Sequence, residues 1–230
     1  KIYTGTKPNT QTITTGSFQP DWTWFKSRFQ TEANMLFDSV RGAGKLLASN
    51  NTNGQGTNTG YQSAWTSTGV TVGNSAETNG VGNMVCWNWK AGTTSGIATN
   101  GDTDITPSAY SISQTSGFSI VKYTGIGGQP KAIAHGLGVK PKMFIIKRTN
   151  TSGSWGVLPQ QFSTGHLYLD ATTAIGTVNP LSGGVLADSV NFSVSNSSDV
   201  NASGSTYIAY CFADVQGYSK MGSYVGTGNA

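Results

Sequence analysis

A short glycine-containing segment, Arg41–Lys45, is the first candidate for chemistry, because glycine-rich loops that end in lysine bind phosphate groups. The phosphate-loop pattern requires glycine at position 39 and Ser or Thr at position 46, whereas the chain has Ser39 and Leu46. The segment is therefore predicted to be a turn that leads into a strand.

The segment Asn100–Asp104 is a second candidate, because its two aspartates alternate as they do at the start of a calcium-binding loop. The later ligand positions hold Thr106 and Ser108, and no bidentate glutamate follows. The favoured interpretation is an Asx-type turn in solvent. No metal and no other cofactor is expected.

Hydrolytic catalysis would need clustered acids or an activated nucleophile. Paired carboxylates cleave glycans when they lie a few ångströms apart, but the ten acidic residues are scattered and most fall in turns. Neither His135 nor His166 lies near a nucleophile motif such as GxSxG. The sequence predicts that the protein is not an enzyme; a glycan-depolymerising enzyme is the contrary hypothesis.

Three aromatic residues in or beside polar loops, Tyr61, Trp65 and Trp155, are candidate glycan contacts. Sugar rings stack on aromatic side chains while nearby Asn and Ser supply hydrogen bonds. Two tryptophan pairs at a spacing of two residues are instead predicted to pack in the core or across strands. These pairs are Trp22 with Trp24 and Trp87 with Trp89.

The stretch 131–148 contains five basic residues and no acid: Lys131, Lys140, Lys142, Lys147 and Arg148. The favoured interpretation is a solvated edge strand, in which lysines prevent edge-to-edge pairing. The alternative is a patch that binds an anionic surface.

The composition indicates an all-β protein. Only 10% of the 230 residues are charged, against roughly a quarter in an ordinary domain, whereas glycine, β-branched and aromatic residues are abundant. The net charge of +4 is too small to predict a nucleic-acid partner, and no apolar stretch approaches the ~18 residues of a membrane span. We expect neither nucleic acid nor membrane as a partner.

The two cysteines, Cys86 and Cys211, form no CxxC pair. Two buried free thiols are the favoured interpretation. A disulfide is the alternative, and it would require the two strands to be neighbours.

An internal repeat is the strongest signal in the chain, because several blocks recur in the same order at a spacing of about 120 residues. The aligned blocks are Lys1–Thr6 with Val121–Ile126, Phe18–Lys26 with Val139–Lys147, Gly44–Ser49 with Gly165–Asp170, Val70–Asn74 with Phe192–Asn196, and Met84–Trp89 with Tyr207–Phe212. We interpret this as a duplication, in which Cys86 matches Ala209 and Asn88 matches Cys211.

The repeat predicts two tandem antiparallel β-sandwiches of jelly-roll type, or one larger sandwich into which both repeats merge. The predicted units are repeat one at 1–116, repeat two at 117–217, and the start of a further repeat or a linker at 218–230. Because both ends cut into repeat-like sequence, we expect the native polypeptide to extend beyond both termini. The polar stretch 50–62 is predicted to be a surface loop or an exposed edge, and 91–117 a linker.

Each repeat is predicted to consist of short strands separated by turns. The predicted strands are 11–15, 21–27, 34–40, 45–49, 68–73 and 83–90 in repeat one, and 118–124, 131–135, 142–148, 154–158, 166–170, 191–195 and 206–213 in repeat two.

Seven stretches carry a family resemblance that covers nearly the whole chain. They are Tyr-Thr-Gly at 3–5 and 123–125, Leu36–Lys45, His135–Met143, Asp199–Gly204, Tyr207–Ala213 and Gly217–Gly222. With these motifs the chain resembles a repeat domain of phage tail-fibre-like virion proteins, especially those of marine phages. The resemblance brings no catalytic or binding residues with it.

The resemblance implies a structural virion protein on an exterior appendage such as a tail fibre, where it contributes to attachment to host-surface glycans. The implied partners are other virion proteins, further copies of the chain with a trimer favoured, and host surface polysaccharide. The alternatives are a capsid or tail decoration or spacer without a ligand, and a cellular adhesin or carbohydrate-binding module.

Overall fold

The computed structural model describes residues 1–128, 130–160, 166–175 and 187–228, and almost all of their regular structure is β-strand. The first part of the chain forms β1 Ile2–Gly5, β2 Gln11–Thr14, β3 Trp22–Ser27, β4 Met35–Asp38, β5 Lys45–Ala48, β6 Gly56–Thr57, β7 Gln62–Thr66, β8 Gly69–Val72, the short helix α1 Ala76–Asn79, and β9 Gly82–Trp89. The second part forms β10 Ala109–Ser113, β11 Phe118–Thr124, β12 Lys131–Ala134, β13 Met143–Arg148, β14 Gly156–Pro159, β15 Leu167–Tyr168, β16 Asn191–Val194 and β17 Thr206–Phe212.

These strands form four sheets whose pairs of neighbouring strands are antiparallel. The first large sheet has the order β1-β9-β3-β4-β5-β6, and the second large sheet has the order β10-β11-β17-β13-β14-β15. A first small sheet, β2-β8-β7, accompanies the first large sheet, and a second small sheet, β12-β16, accompanies the second. We call each large sheet with its small sheet a unit.

Three apolar cores hold the sheets together. The first core lies between the sheets of the first unit and includes Phe25, Phe37 and Val70. The second core lies between the sheets of the second unit and includes Ile133 and Phe192. A central core, formed by side chains from both large sheets, packs the two units against each other, so the layers run small, large, large, small. The predicted all-β sandwich fold is confirmed.

Strict alternation along the central strands makes this layering possible, because successive side chains of a strand point to opposite faces. In β17, Tyr207, Ala209 and Cys211 face the second core. Ile208 and Tyr210 face the central core. Both faces of this strand are therefore buried, which explains its almost continuous run of apolar residues.

The two units share one topology. The order β1-β9-β3-β4-β5 in the first large sheet corresponds to β11-β17-β13-β14-β15 in the second. The registers agree as well, because Phe25 faces Cys86 across β3 and β9, and Ile146 faces Ala209 across β13 and β17. This is the equivalence of Cys86 with Ala209 that the sequence alignment predicts.

The repeated Tyr-Thr-Gly motif makes equivalent contacts in both units. In the first unit the Tyr3 hydroxyl donates a hydrogen bond to the Thr78 carbonyl, and the Thr6 amide donates to Oδ1 of the buried Asn79 at 2.8 Å. The glycine of the motif is required because a Cβ on Gly5 would lie 1.7 Å from the Gly80 carbonyl oxygen.

In the second unit the Tyr123 hydroxyl donates to the Val200 carbonyl at 2.7 Å. The Ile126 amide donates to Oδ1 of the buried Asn201 at 3.0 Å. A Cβ on Gly125 would lie 2.5 Å from the Ala202 carbonyl oxygen. The motif is therefore a packing signature: a tyrosine, a glycine and a distant asparagine hold one end of each sandwich together.

Every predicted strand is present within two residues at each end, although 166–170 contains only the two-residue β15. The strands β1, β6, β7 and β10 are additional. The strand β10 lies inside the range predicted for repeat one but pairs with β11 of the second large sheet. The stretch 91–117 is therefore more than a linker. Residue 165 of one aligned block and residues 229 and 230 of the last predicted segment lie outside the described residues.

The polar stretch 50–62 includes the edge strand β6, as one of its two interpretations predicts, but part of it is packed against the second unit. The Gln55 amide donates to the Thr149 carbonyl at 2.7 Å, and the Gly153 amide donates to the Thr52 carbonyl at 2.9 Å. This stretch therefore joins the two units through backbone hydrogen bonds.

Candidate functional site

Tyr61 and Trp65 lie on the first small sheet, Tyr61 just before the edge strand β7 and Trp65 within it. Both side chains are half-buried against the first core. The Tyr61 hydroxyl donates to the Glu77 carboxylate at 3.2 Å, and burial, together with the charge of Glu77, raises the pKa of Tyr61. Each aromatic therefore exposes only part of its surface to a ligand.

Trp155 is not at a ligand-accessible surface, and the prediction that it contacts a glycan is wrong. Its side chain is 0% exposed and belongs to the central core. The indole nitrogen donates to the Ala48 carbonyl of the first unit at 2.9 Å. The polar residues that precede Trp155 suggested a surface loop, but the packing of the two units covers this position.

The segment Arg41–Lys45 is a turn that leads into β5, as predicted, and it holds no phosphate-binding geometry. The Arg41 guanidinium is buried, where it forms a salt bridge with Asp38 and donates to the Lys45 carbonyl at 2.8 Å. The Tyr210 hydroxyl of the second unit donates to Oδ2 of Asp38 at 2.7 Å. This Asp38–Arg41–Tyr210 network is a polar contact inside the packed interface between the units.

The basic stretch 131–148 is neither a single edge strand nor one patch, so both interpretations require correction. The strand β12, which begins at Lys131, is an edge strand of the two-stranded second small sheet, but the remaining basic residues lie outside it. The strand β13 lies between β17 and β14 inside the second large sheet. Lys147 is 0% exposed, and its ammonium group donates to the carbonyls of Thr52 at 3.2 Å and of Arg148 at 2.9 Å. Burial lowers the pKa of Lys147 to about 8. Lys131 is engaged separately, in a salt bridge with Asp104 at 3.1 Å.

The segment Asn100–Asp104 forms the predicted Asx-type turn, in which the Asp102 amide donates to Oδ1 of Asn100 at 3.1 Å. The Asp104 carboxylate accepts the Ala132 amide at 2.8 Å. That hydrogen bond is the main reason why the pKa of Asp104 is lowered. Within the ranges that the structure describes, no group of three or more His, Cys, Asp or Glu side chains is placed to hold a metal ion.

The two cysteines are free and buried, as the favoured interpretation predicts. Cys86 lies in the first core and Cys211 in the second. Burial raises the pKa of each thiol to about 12, so neither is a reactive nucleophile at neutral pH.

His135 is a buried structural residue. Its Nδ1 accepts the Leu137 amide at 3.1 Å, which leaves Nε2 as the donor to the Asp188 carbonyl at 3.2 Å. Burial lowers the pKa of His135 to about 4. The imidazole is therefore neutral at physiological pH, and both of its nitrogens are hydrogen-bonded within the fold.

The tryptophan pairs pack in the core or across strands, as predicted. Trp22, Trp24 and Trp89 pack in or against the central core, and Trp22 stacks on Tyr210 with ring centroids 4.5 Å apart. Trp87 is 47% exposed, and it packs edge-on against Trp24 across β3 and β9, with ring centroids 6.4 Å apart. An almost wholly apolar cavity of about 200 Å³ opens beside these rings, between the two large sheets.

A second, more polar cavity lies where the two units and the connecting chain meet, and we call it the junction pocket. Its volume is about 310 Å³. Its lining includes Phe18, Asp21, Val40, Lys90, Gly92 and Tyr110. These residues come from the segment before β3, the turn after β4, the chain after β9, and β10.

Asp21 organises the wall of the junction pocket. The Ser39 and Ser111 hydroxyls both donate to its Oδ1, at 2.7 and 3.1 Å, and the Ala91 amide donates to its Oδ2 at 2.8 Å. The side chain thereby ties β10 and the connecting chain to the first unit.

Sequence reasoning missed this pocket. The one available signal was that Asp21 stands where the second repeat has Lys142, directly after the shared Pro20 and Pro141. The two units therefore differ in sequence at this position. The pairing of β10 with β11, which the sequence does not reveal, is what brings Tyr110 and Ser111 close to Asp21.

Among the described residues, no helix has the length and apolar character needed to cross a membrane. Searches of the curated proteins and of the solved structures give no match to the chain. A family model described as "Domain of unknown function (DUF7483)" matches residues 1–230. The chain therefore belongs to the DUF7483 family.

Proposed function

We propose that the chain is a structural module of a phage tail fibre or a comparable exterior virion appendage, and that it contributes to attachment to host-surface glycans. The observation that carries this proposal is the central core, through which two sandwich units of one topology pack face to face. An appendage must transmit force without bending at every domain boundary, and a dry, shared core suits that task better than a flexible linker does.

The contacts across the central core support a rigid module. The stacked rings of Trp22 and Tyr210, the hydrogen bond from Trp155 to Ala48, and the Asp38–Arg41–Tyr210 network all cross between the units. Separating the units would expose aromatic surface and leave a buried charged pair without its third partner, both of which are costly.

The surface chemistry supports an attachment role. Carbohydrate ligands are held by partly exposed aromatic rings with hydroxyl, amide and carboxylate groups beside them. Tyr61 and Trp65 offer such surface on the first small sheet, with Glu77 hydrogen-bonded to the Tyr61 hydroxyl. Trp155 takes no part because it is buried.

Localisation on virus particles tests the structural part of the proposal. Antibodies raised against the recombinant chain are expected to label thin exterior appendages of particles purified from the source, as seen by immunogold electron microscopy. Label on the capsid surface would favour a decoration protein. Label on cells but not on particles would overturn the proposal in favour of a cellular adhesin.

Binding of the labelled recombinant chain to host cells tests the attachment part. We expect binding that soluble host polysaccharide competes away, and we expect Trp65→Ala to weaken it. Phe29→Ala, which removes a ring that is exposed elsewhere on the first unit, is the matched control. Unchanged binding by Trp65→Ala would remove Trp65 from the site, and an absence of binding by the wild type would favour a spacer without a ligand.

A further inference from the structure

We propose that the junction pocket is a binding site for one neutral pyranose unit of a polysaccharide. This inference rests on the proposed attachment function and adds a second contact site that is separate from Tyr61 and Trp65. It combines three features of the pocket: an organised carboxylate, an aromatic wall with a cation at its rim, and a volume suited to one sugar ring.

The carboxylate of Asp21 has one acceptor position left for a ligand. Each carboxylate oxygen can accept about two hydrogen bonds. Oδ1 already accepts two, from Ser39 and Ser111, whereas Oδ2 accepts one, from the Ala91 amide, among the residues that the structure describes. The side chain is only 5% exposed and lines the pocket. A ligand hydroxyl that donates to Oδ2 would make a charge-assisted hydrogen bond in a partly desolvated place.

Aromatic and cationic groups complete the pocket. Phe18 and Tyr110 line it, and the half-buried Phe18 ring lies 5.9 Å from the exposed Lys90 ammonium group. The face of a pyranose ring can stack on Phe18, while its hydroxyl oxygens accept hydrogen bonds from Lys90. The Tyr110 hydroxyl already accepts the Ile97 amide at 3.0 Å and can still donate to a ligand oxygen.

Size and charge define the ligand class. The volume of about 310 Å³ lies at the lower end of the range for small-molecule sites, about 300 to 1,000 Å³, which suits one sugar ring rather than a long glycan. The buried Asp21 carboxylate at the inner wall repels a second carboxylate, whereas the exposed Lys90 ammonium at the rim is screened by solvent and compensates for this repulsion only weakly. The pocket should therefore prefer a neutral pyranose to a uronic acid.

The test is a titration of the ¹⁵N-labelled full chain, followed by amide chemical shifts. The probes are the methyl α-glycosides of glucose, galactose and mannose, with methyl glucuronide as the acidic probe. We expect at least one neutral glycoside to give saturable shifts at the amides of Ala91, Gly92 and Ser111. The dissociation constant should be in the millimolar range, as is usual for a single sugar with few contacts.

Variants of the lining locate the site. Phe18→Ala should raise the dissociation constant about tenfold, as expected for the loss of a stacked ring. Lys90→Ala should raise it about threefold. Phe29→Ala and Lys7→Ala remove a matched ring and a matched cation elsewhere and should leave it unchanged. The amide spectrum of each variant also shows whether it is folded.

Several outcomes would overturn the proposal. These are no shifts with any neutral glycoside at about 0.1 M, shifts confined to Tyr61 and Trp65, shifts that persist unchanged in Phe18→Ala, or binding of the glucuronide alone. The result is separable from the proposed function. If antibodies label the particles but no sugar causes shifts, only the proposed sugar site is overturned. If a sugar causes shifts at the pocket but the particles are not labelled, only the proposed virion role is overturned.

Discussion

Tyr210 and Asp38, which are 172 positions apart in the sequence, are joined by a hydrogen bond of 2.7 Å that crosses from the second unit to the first. Both side chains are fully buried, and the same Asp38 oxygen pairs with Arg41. Burial raises the pKa of Tyr210 far above its ordinary value, so the phenol keeps its proton and acts as a donor. The two units are thus matched by a specific polar contact as well as by apolar packing.

Tyr210→Phe should therefore destabilise the protein. The substitution keeps the ring that stacks on Trp22 but removes the donor to a buried carboxylate, and a hydrogen bond to a charged group contributes about 1.5–3 kcal/mol. Urea unfolding should show a decrease of that size in the free energy of unfolding. Tyr224→Phe, at a position that is 93% exposed, should show no change. Equal midpoints for Tyr210→Phe and wild type would mean that the contact is not stabilising.

The asparagine of each Tyr-Thr-Gly contact should be equally important to its own unit. Asn79 accepts the Thr6 amide at 2.8 Å and donates to the carbonyls of Asn9 and Gly73, both at 2.6 Å. Asn79→Ala would leave the buried Gly73 carbonyl without this donor, at a cost of about 1–3 kcal/mol, and would also remove the partly buried hydrogen bonds to Thr6 and Asn9. We expect a decrease of at least ~2 kcal/mol in the free energy of unfolding, measured by denaturant titration.

Two further variants check this interpretation. Asn201→Ala, which removes the acceptor of the Ile126 amide in the second unit, should also be destabilising. Asn53→Ala, at an exposed position of the first unit, should be neutral. If Asn79→Ala were as stable as Asn53→Ala, the contact would be a consequence of the fold and not a cause of its stability.

The strands that could be predicted from the sequence are those with local evidence. Met143–Arg148 is an apolar run after a proline, and Met84–Trp89 alternates within an aligned block, so both were recognisable without knowledge of their partners. The strand β10 was missed because Ala109–Ser113 lies in a polar stretch. Its strand conformation comes from pairing with β11, and strand formation depends on such tertiary context.

The candidate site could be predicted only in part, for the same reason. The half-buried aromatics Tyr61 and Trp65 follow from local sequence, whereas the burial of Trp155 and the position of Asp21 depend on how two units pack. Single-residue patterns carry no information on that packing. The alignment of the two repeats identified the units but not which of their faces would meet.

Neither cysteine should react with a thiol reagent in the folded protein. Cys86 and Cys211 are fully buried, and burial raises their pKa values to about 12. At pH 8 the reagent therefore cannot reach either sulfur, and neither thiol is ionised to the reactive thiolate. Ellman's reagent should label neither thiol in native buffer and both in guanidinium chloride. Ser63→Cys, at an exposed position, should add one rapidly reacting thiol. Rapid native labelling of the wild type would contradict the described cores.

The glycine of the repeated motif should not tolerate a side chain. A Cβ on Gly125 would lie 2.5 Å from the Ala202 carbonyl oxygen, and a Cβ on Gly5 even closer to Gly80, so backbone would have to move in either unit. Overpacking of this kind costs about 1–3 kcal/mol. Gly125→Ala and Gly5→Ala should lower the melting temperature, whereas Gly222→Ala, which meets nothing within 4 Å, should not. If Gly125→Ala melted at the wild-type temperature, the backbone at Gly125 and at Ala202 would be able to move apart without a loss of stability.

Mild acid should destabilise the protein through His135. Burial lowers the pKa of His135 from 6.5 to about 4, so between these pH values the unfolded chain binds a proton that the folded chain does not. Stability must then fall as the pH is lowered through this window, because a protonated Nδ1 could no longer accept the Leu137 amide. Between pH 7 and pH 5 the expected loss is roughly 2 kcal/mol. His135→Asn keeps an acceptor but does not titrate, so its urea unfolding should be less pH-dependent by that amount. If both proteins lose the same stability over this range, another group is responsible and His135 is not the acid-sensitive residue.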